Sequence, residues 1–164
     1  MTTTHRAVWL RSATPEDAGF LFDLYCDTRR QELAAWGWPP QQQAAFLRFQ
    51  FDACSRAYAA QFPAAEDRIV CLGAEAAPEP VGRILTAIGP ARMCLIDIAI
   101  LSAYRNRGIG ASLIGALAAR CDAEDRVLSL QVLAGNPAAR LYRRLGFRER
   151  ARDPMYIQME RVPG

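Results

Sequence analysis

Residues able to do chemistry cluster in the second half of this sequence. The densest group is Arg105-Asn106-Arg107-Gly108-Ile109-Gly110, which follows the apolar run Leu95 to Leu101 and precedes Ala111-Ser112-Leu113-Ile114-Gly115-Ala116-Leu117. Gly108 and Gly110 remove side chains where the backbone must turn sharply, leaving amide N–H groups uncovered at the start of a helix. Unpaired donors at the positive end of a helix dipole bind anions, phosphate above all, and Arg105 and Arg107 add charge beside them. Asp97 interrupts the apolar run, where a carboxylate is costly unless it is paired or functional. Tyr142 offers a phenol, a proton donor if it faces a reacting group and a packing residue if it faces the core.

These residues need a strand, a turn and a helix to position them. Leu95 to Leu101 carries β-branched residues and fits a strand covered on both faces. Ile109, Leu113, Ile114 and Leu117 then recur at helical spacing, so one helix face packs on the sheet. A nucleoside-triphosphate loop needs Gly-Lys-Ser/Thr, whereas this chain has Gly110-Ala111-Ser112 and no lysine anywhere. A dinucleotide-binding turn wants a third glycine where Leu113 stands, and an acidic residue where Leu130-Gln131-Val132 stands.

What remains, Arg-x-x-Gly-x-Gly after a strand, resembles the GNAT superfamily of N-acetyltransferases, whose Gln/Arg-x-x-Gly-x-Gly/Ala loop holds the pyrophosphate of acetyl-coenzyme A. Downstream, the strand-like Val127 to Val132 leads to Asn136-Pro137-Ala138-Ala139-Arg140-Leu141-Tyr142-Arg143-Arg144-Leu145-Gly146-Phe147. Asn136 suits a helix cap, Pro137 its first position and Gly146 its end. This segment resembles the family's next signature, Asn-x-x-Ala-x-x-Leu-Tyr-x-x-x-Gly-Phe, in the same order. The two motifs carry the resemblance from about Ile98 to Phe147. Asn106 replaces a glycine frequent in the family's loop, and Ser102 a frequent proline before it.

The resemblance implies roles for particular residues. The backbone of Ile98, Ala99 and Ile100 would pair with the pantetheine arm, and the pyrophosphate would meet the amides of Asn106, Arg107, Gly108, Ile109, Gly110 and Ala111. Asn136, Ala139 and Arg143 would lie near the cofactor, with Asn136 alternatively only a helix cap. Tyr142 stands at the family's general-acid position. Asp97 is a candidate base acting through water, or equally a structural acid bonded to an arginine, and Glu32 is the other candidate. Glu32, Trp36 and Trp38 fall where the family commonly builds one wall of its acceptor site, although tryptophans there also suit the plugging of a flank.

Composition bounds the rest. With 164 residues and 51% hydrophobic content, the chain reads as one soluble domain over residues 1–164. No apolar run reaches membrane-span length and the N-terminus lacks a signal-peptide core, so a cytoplasmic location is expected. Cys26, Cys54, Cys71, Cys94 and Cys121 are an odd number without a Cys-x-x-Cys pair, as befits reduced core residues rather than disulfides or metal ligands. The single histidine, His5, excludes a histidine-based zinc site or serine triad. All twenty basic residues are arginines, a usage typical of a GC-rich bacterial genome, and they are dispersed rather than clustered into a nucleic-acid stripe.

In chain order, Val8 to Ala13 reads as a strand and Thr14-Pro15-Glu16-Asp17 as a helix start, with Phe20, Leu21, Leu24 and Tyr25 on its apolar face. Asp27 to Gln43 reads as the least regular part. A helix from about Gln42 to Gln61 follows, then strands at Arg68 to Ala74 and Val81 to Ile88, and a terminal hairpin of Phe147 to Ala151 and Met155 to Arg161. The class is α/β (α+β), a mixed and mostly antiparallel seven-stranded sheet with helices on both faces. The resemblance makes this the GNAT fold, with strands four and five splayed apart.

The function implied is acetyl transfer from acetyl-coenzyme A to a primary amine of a small molecule, a peptide N-terminus or a lysine, with no metal, nucleic acid or membrane involved. The alternative is a non-catalytic acyl-coenzyme-A sensor or scaffold, which has no need of Tyr142. Similar folds commonly form homodimers.

Overall fold

The computed structural model of the chain describes residues 6–164, and His5 lies outside the described residues. In chain order the elements are β1 (Val8–Ser12), a 3-10 turn (Pro15–Asp17), α1 (Ala18–Trp36), α2 (Pro40–Gln61), β2 (Glu66–Leu72), β3 (Glu79–Ile88) and β4 (Arg92–Ile100). A second 3-10 turn (Ser102–Tyr104), α3 (Ile109–Ala123), β5 (Val127–Leu133), α4 (Ala138–Arg144), β6 (Arg148–Arg152) and β7 (Tyr156–Arg161) complete the order. No described helix is long and apolar enough to cross a membrane.

The stretch expected to be irregular is mostly helix. Asp27 to Trp36 contains no glycine or proline and is rich in Arg, Gln, Glu, Leu and Ala, all good helix formers, so α1 runs on to Gly37. Only Gly37 to Pro39 separates it from α2. Trp36, Trp38 and Phe46 stack together across this short turn, with ring centroids 5.1–5.7 Å apart.

The strands form one seven-stranded sheet in the order β1-β2-β3-β4-β5-β7-β6. Every neighbouring pair is antiparallel except β4 and β5, which are parallel and joined through α3. Helix α1 packs against β3 and β4, while α3 packs against β4 and β5 on the other face. The main core lies on the α3 side, where Met93, Leu95, Ile114, Leu128, Phe147 and Met159 are all nearly inaccessible. Each such side chain contributes ~1.5–3 kcal/mol through burial.

Two departures from regular sheet geometry shape the centre. The β3–β4 register passes from Leu85↔Asp97 to Thr86↔Leu95, so Ile96 is an extra residue, a β-bulge. Strict alternation would put Asp97 on the face of Met93 and Leu95. The bulge reverses the alternation: Ile98 and Ile100 rejoin that apolar face, and Asp97 turns toward α1 and α2. The second departure is that β4 pairs with β5 only from Arg92↔Val127 to Leu95↔Leu130. Beyond that point β4 stays with β3 as far as Gly82↔Ile100, and β5 stays with β7 as far as Leu133↔Tyr156, so the two strands part. This is the splay of strands four and five.

Gly82 permits the close β3–β4 approach at this point, because a Cβ there would sit 2.5 Å from the carbonyl oxygen of Ala99. Gly82→Val is therefore expected to displace β4 and to destabilise the fold by about 1–3 kcal/mol, measurable by urea unfolding.

The start of α1 is fixed by a buried carboxylate. Asp17 accepts two hydrogen bonds from Arg11, at 2.8 and 2.7 Å, and one from the backbone N–H of Thr14 at 2.8 Å. The Arg11 bonds are the main reason its pKa falls to about 2. Against an unfolded value of ~3.9, the ionised group stabilises the fold fully above about pH 4, and that contribution is lost as pH falls through about 2. Asp17→Asn should cost about 1–3 kcal/mol at pH 7, and the gap from the parent should narrow in urea melts near pH 3.

Candidate active site

Two cavities meet at the C-terminal half of β4. The larger, of about 910 Å³, runs from the glycine turn along the end of β4 to α4. The smaller, of about 200 Å³, lies between β4 and helices α1 and α2. Thr28, Ile98 and Ala99 line both, so the two spaces adjoin across one short piece of strand.

The glycine turn is built by backbone geometry. Asn106 has φ 62° and Gly108 φ 79°, both left-handed. Glycine adopts that region freely and asparagine tolerates it better than most residues, which accounts for asparagine at a position where glycine is frequent in similar loops. Among the described residues the amides of Asn106, Arg107 and Gly108 have no backbone partner, and those of Ile109, Gly110 and Ala111 open α3, where no intrahelical partner exists. The result is a row of free donors at a helix N-terminus.

Asp27 of α1 anchors this turn. Its Oδ2 accepts the backbone N–H of Ser102 at 2.7 Å and its Oδ1 accepts the Ser102 hydroxyl at 2.8 Å. A proline at 102 could supply neither donor, so the serine is matched to Asp27. Arg105 Nε donates to the Ile100 carbonyl at 2.9 Å, and its Nη2 lies 3.5 Å from Asp27. Although burial opposes ionisation of Asp27, the Ser102 bonds and nearby arginines outweigh it and lower its pKa.

Most of the expected cofactor residues gather along the larger cavity. Ile98, Ala99 and Ile100 form its strand wall, and Arg105, Asn106, Gly108, Ile109, Gly110 and Ala111 its turn wall. Asn136 is there too, its Oδ1 accepting the Ala138 N–H at 2.9 Å as a cap for α4. Arg107 is not among the lining residues and rests over the Tyr104 ring at 5.2 Å. Ala139 is buried in the core, and Arg143 points instead to Glu149, 4.0 Å away. Arg144, one residue on, lines the cavity in place of Arg143.

The expected acceptor contacts are placed elsewhere. Glu32, Trp36 and Trp38 line neither cavity; Glu32 is exposed beside Arg29, and the tryptophans belong to the aromatic stack at the end of α1. The residues of α1 that do reach the smaller cavity are Leu21, Leu24, Tyr25, Thr28 and Arg29. Leu21, Leu24, Tyr25 and Thr28 follow i, i+3, i+4, i+7 spacing, a signal that carrying the helix past Asp27 would have revealed.

The two acid–base candidates lie on opposite sides of the β4 wall. Asp97 lines the smaller cavity, where burial pushes its pKa up and the nearby Arg83 guanidinium only partly opposes this. Arg83 is itself held by Asp67 at 2.8 and 2.9 Å. Tyr142 lines the larger cavity, 9% exposed, with its ring 5.8 Å from that of Phe147. Burial, followed by the charge of Asp97, raises the Tyr142 pKa. Tyr58 is likewise raised, by burial first and then by Asp97. No cluster of metal-ligating side chains occurs among the described residues.

Residues 19–147 match the sequence model of the Acetyltransferase (GNAT) family. The chain belongs to this family. No curated protein matches it by sequence. Among solved structures, an acetyltransferase from Thermus thermophilus superposes with TM-score 0.68 at 23% identity, covering 97% of this chain and 99% of that one. The PaiA N-acetyltransferase of Thermoplasma acidophilum, in complex with coenzyme A, gives TM-score 0.68 at 15% identity, covering 95% and 99%. A protein described as histone acetyltransferase HPA2 and related acetyltransferase, from Corynebacterium glutamicum, gives TM-score 0.64 at 21% identity, covering 98% of each chain. At these identities the likeness is one of fold, and it extends over almost the whole length of this GNAT chain.

Within this GNAT fold the Asp27 anchor is what holds the turn to α1. Asp27→Ala should leave the core strands protected while speeding hydrogen exchange at the bonded amides of Ser102, Tyr104 and Arg105 by about tenfold or more, the loss expected for removing charge-assisted bonds.

Proposed function

We propose that this GNAT protein is an acetyl-coenzyme-A-dependent N-acetyltransferase acting on a primary amine. One observation carries the reading: the two cavities adjoin at Ile98 and Ala99, with Asp97 on one side and Tyr142 on the other. A donor and an acceptor can therefore meet between a base and an acid.

The larger cavity fits the coenzyme on its own features. The free amides of Asn106 to Ala111 suit a pyrophosphate, with Arg105 and Arg144 on the same cavity wall. Beyond Leu95 the β4 edge facing β5 has no strand partner, so an amide-bearing arm would find backbone groups to pair with. Bound there, acetyl-coenzyme A supplies an acetyl thioester whose transfer requires one proton to leave the amine and one to reach the departing sulfur.

Asp97 takes the first of these roles. Its raised pKa makes it a better proton acceptor than an ordinary carboxylate, and Arg83, Arg29, Asp67, Tyr58 and Tyr142 set the field around it. Tyr142 takes the second. A phenol with a raised pKa keeps its proton through neutral pH and releases it only to a stronger base such as a thiolate formed in a low-dielectric gap.

Tyr142→Phe keeps the ring and its packing on Phe147, so kcat should fall by about 100-fold or more with little change in coenzyme A affinity. Asp97→Asn should lower kcat and abolish the acidic limb of the parent pH profile. That limb should lie above the ~4 of an ordinary carboxylate, because protonating Asp97 removes the base. Thiol release on a panel of amines and titration calorimetry with coenzyme A make both measurements. Tight coenzyme A binding with no acetylated amine would identify a sensor or scaffold instead.

A further inference from the structure

The smaller cavity holds two charges of opposite sign that are not paired with each other. Asp97 forms no ion pair and no hydrogen bond to another side chain among the described residues. Arg29 sits over the Tyr25 ring at 4.4 Å, and its closest carboxylate, Glu32, is 3.9 Å away, beyond hydrogen-bond distance. Its Nε is buried and has no partner, the one such side-chain nitrogen or oxygen among the described residues. The third charge in the cavity, Arg83, is already committed to Asp67 through two bonds of 2.8 and 2.9 Å. With Nε closed off from the cavity, it is the Nη groups, which make no hydrogen bond among the described residues, that a ligand acceptor can reach.

Leu21, Leu24, Tyr25, Phe51 and Tyr58 stand around the charges, with Thr28 and Ser55 the polar residues among them. The volume, about 200 Å³, falls below the ~300–1,000 Å³ of drug-sized ligand sites. We infer that the acceptor is a free α-amino acid with an apolar or aromatic side chain, its amine at Asp97, its carboxylate at Arg29 and its side chain among the aromatic residues. This deepens the transferase reading and rests on it.

The charges also argue against other amines. A diamine would bring a second ammonium to Arg29, and an aminoglycoside several. A peptide N-terminus would arrive without an α-carboxylate for Arg29. An amine with no carboxylate would leave the Arg29 guanidinium without an anion in the cavity.

Transfer to such an acceptor forms one amide bond between the amino acid nitrogen and the acetyl carbon and breaks the carbon–sulfur bond, whose electron pair stays on sulfur. The α-ammonium first loses one proton to solvent; as the neutral amine forms the amide, Asp97 takes the second from nitrogen and Tyr142 supplies one to sulfur.

The test compares L-phenylalanine, L-phenylalaninamide and phenethylamine as acceptors for the full chain and for Arg29→Gln and Arg29→Lys, with circular dichroism confirming the fold of each variant. The parent should prefer phenylalanine over the two compounds without a carboxylate by about tenfold to a hundredfold in KM, the range expected for a charge-assisted contact. Arg29→Gln should bring that ratio close to one, and Arg29→Lys should restore part of it. Acetylation of phenethylamine as readily as phenylalanine, or an equal loss on all three in Arg29→Gln, would overturn the inference while leaving the transferase reading intact. Calorimetry separates the remaining case: phenylalanine binding that weakens in Arg29→Gln without any turnover would sustain the amino acid site and overturn the transferase. Absence of both binding and turnover of phenylalanine, with coenzyme A still bound, would overturn the amino acid site.

Discussion

Strand β4 is held by two neighbours that diverge. Its antiparallel ladder with β3 continues to Ile100, while its parallel ladder with β5 stops at Leu95↔Leu130 because β5 remains attached to β7. Sheet twist makes such a parting tolerable over a few residues, but it leaves backbone donors and acceptors in the middle of a sheet without partners. Every other feature of the site is arranged around that gap. The glycine turn follows the C-terminal end of β4, α4 begins just past the end of β5 with Asn136 as its cap, and Tyr142 enters from α4. The bulge at Ile96 falls where the ladder with β5 ends, and it sends Asp97 to the opposite side.

Helix α1 couples the two cavities mechanically. Asp27 grips Ser102 and sits close to Arg105, while Thr28 lines both cavities and Arg29 lines the smaller one. Three consecutive residues therefore connect the turn proposed to hold phosphate with the space proposed to hold the acceptor. Asp17 and Arg11 fix the other end of the helix to β1 through a buried, doubly bonded ion pair. A helix pinned at its start and in its middle, with its end closed by an aromatic stack, gives α1 little freedom to shift relative to β4.

What could be read from sequence was local backbone chemistry. Gly108, the Asn136-Pro137 cap and the apolar runs of β4 and β5 specify their own conformations, so the turn, the helices after it and the sheet centre were legible without tertiary information. The bulge at Ile96 was not, because nothing distinguishes an apolar residue in a bulge from one in a regular strand; only pairing with β3 reveals it. Arg29 and Arg83 were likewise illegible: among twenty arginines, the one whose Nε is buried without a partner and the one bound to Asp67 differ by contacts made across the fold. Trp36 and Trp38 drew attention by residue type, yet their short connection lets them stack on Phe46 instead of lining a cavity. Arg144 rather than Arg143 lines the larger cavity, since one helical step turns a side chain by about 100°.

The charges about β4 balance without satisfying one another. Asp67 and Arg83 neutralise each other at bonding distance, leaving Asp97 and Arg29 as a second pair of opposite sign that does not close. Closing it would relieve the desolvation of Asp97, so keeping them apart costs stability that a purely structural pair would not. On the proposed reading, separation is what the chemistry requires: a carboxylate bonded to arginine has its pKa lowered, whereas Asp97, desolvated and influenced by Arg83 only at a distance, has its pKa raised. The same separation leaves Arg29 free for a ligand anion. The backbone explains how it is maintained, because Asp97 is held by the bulge in β4 and Arg29 belongs to a helix anchored through Asp27, so neither can move toward the other without disturbing an element that the sheet or the turn holds in place.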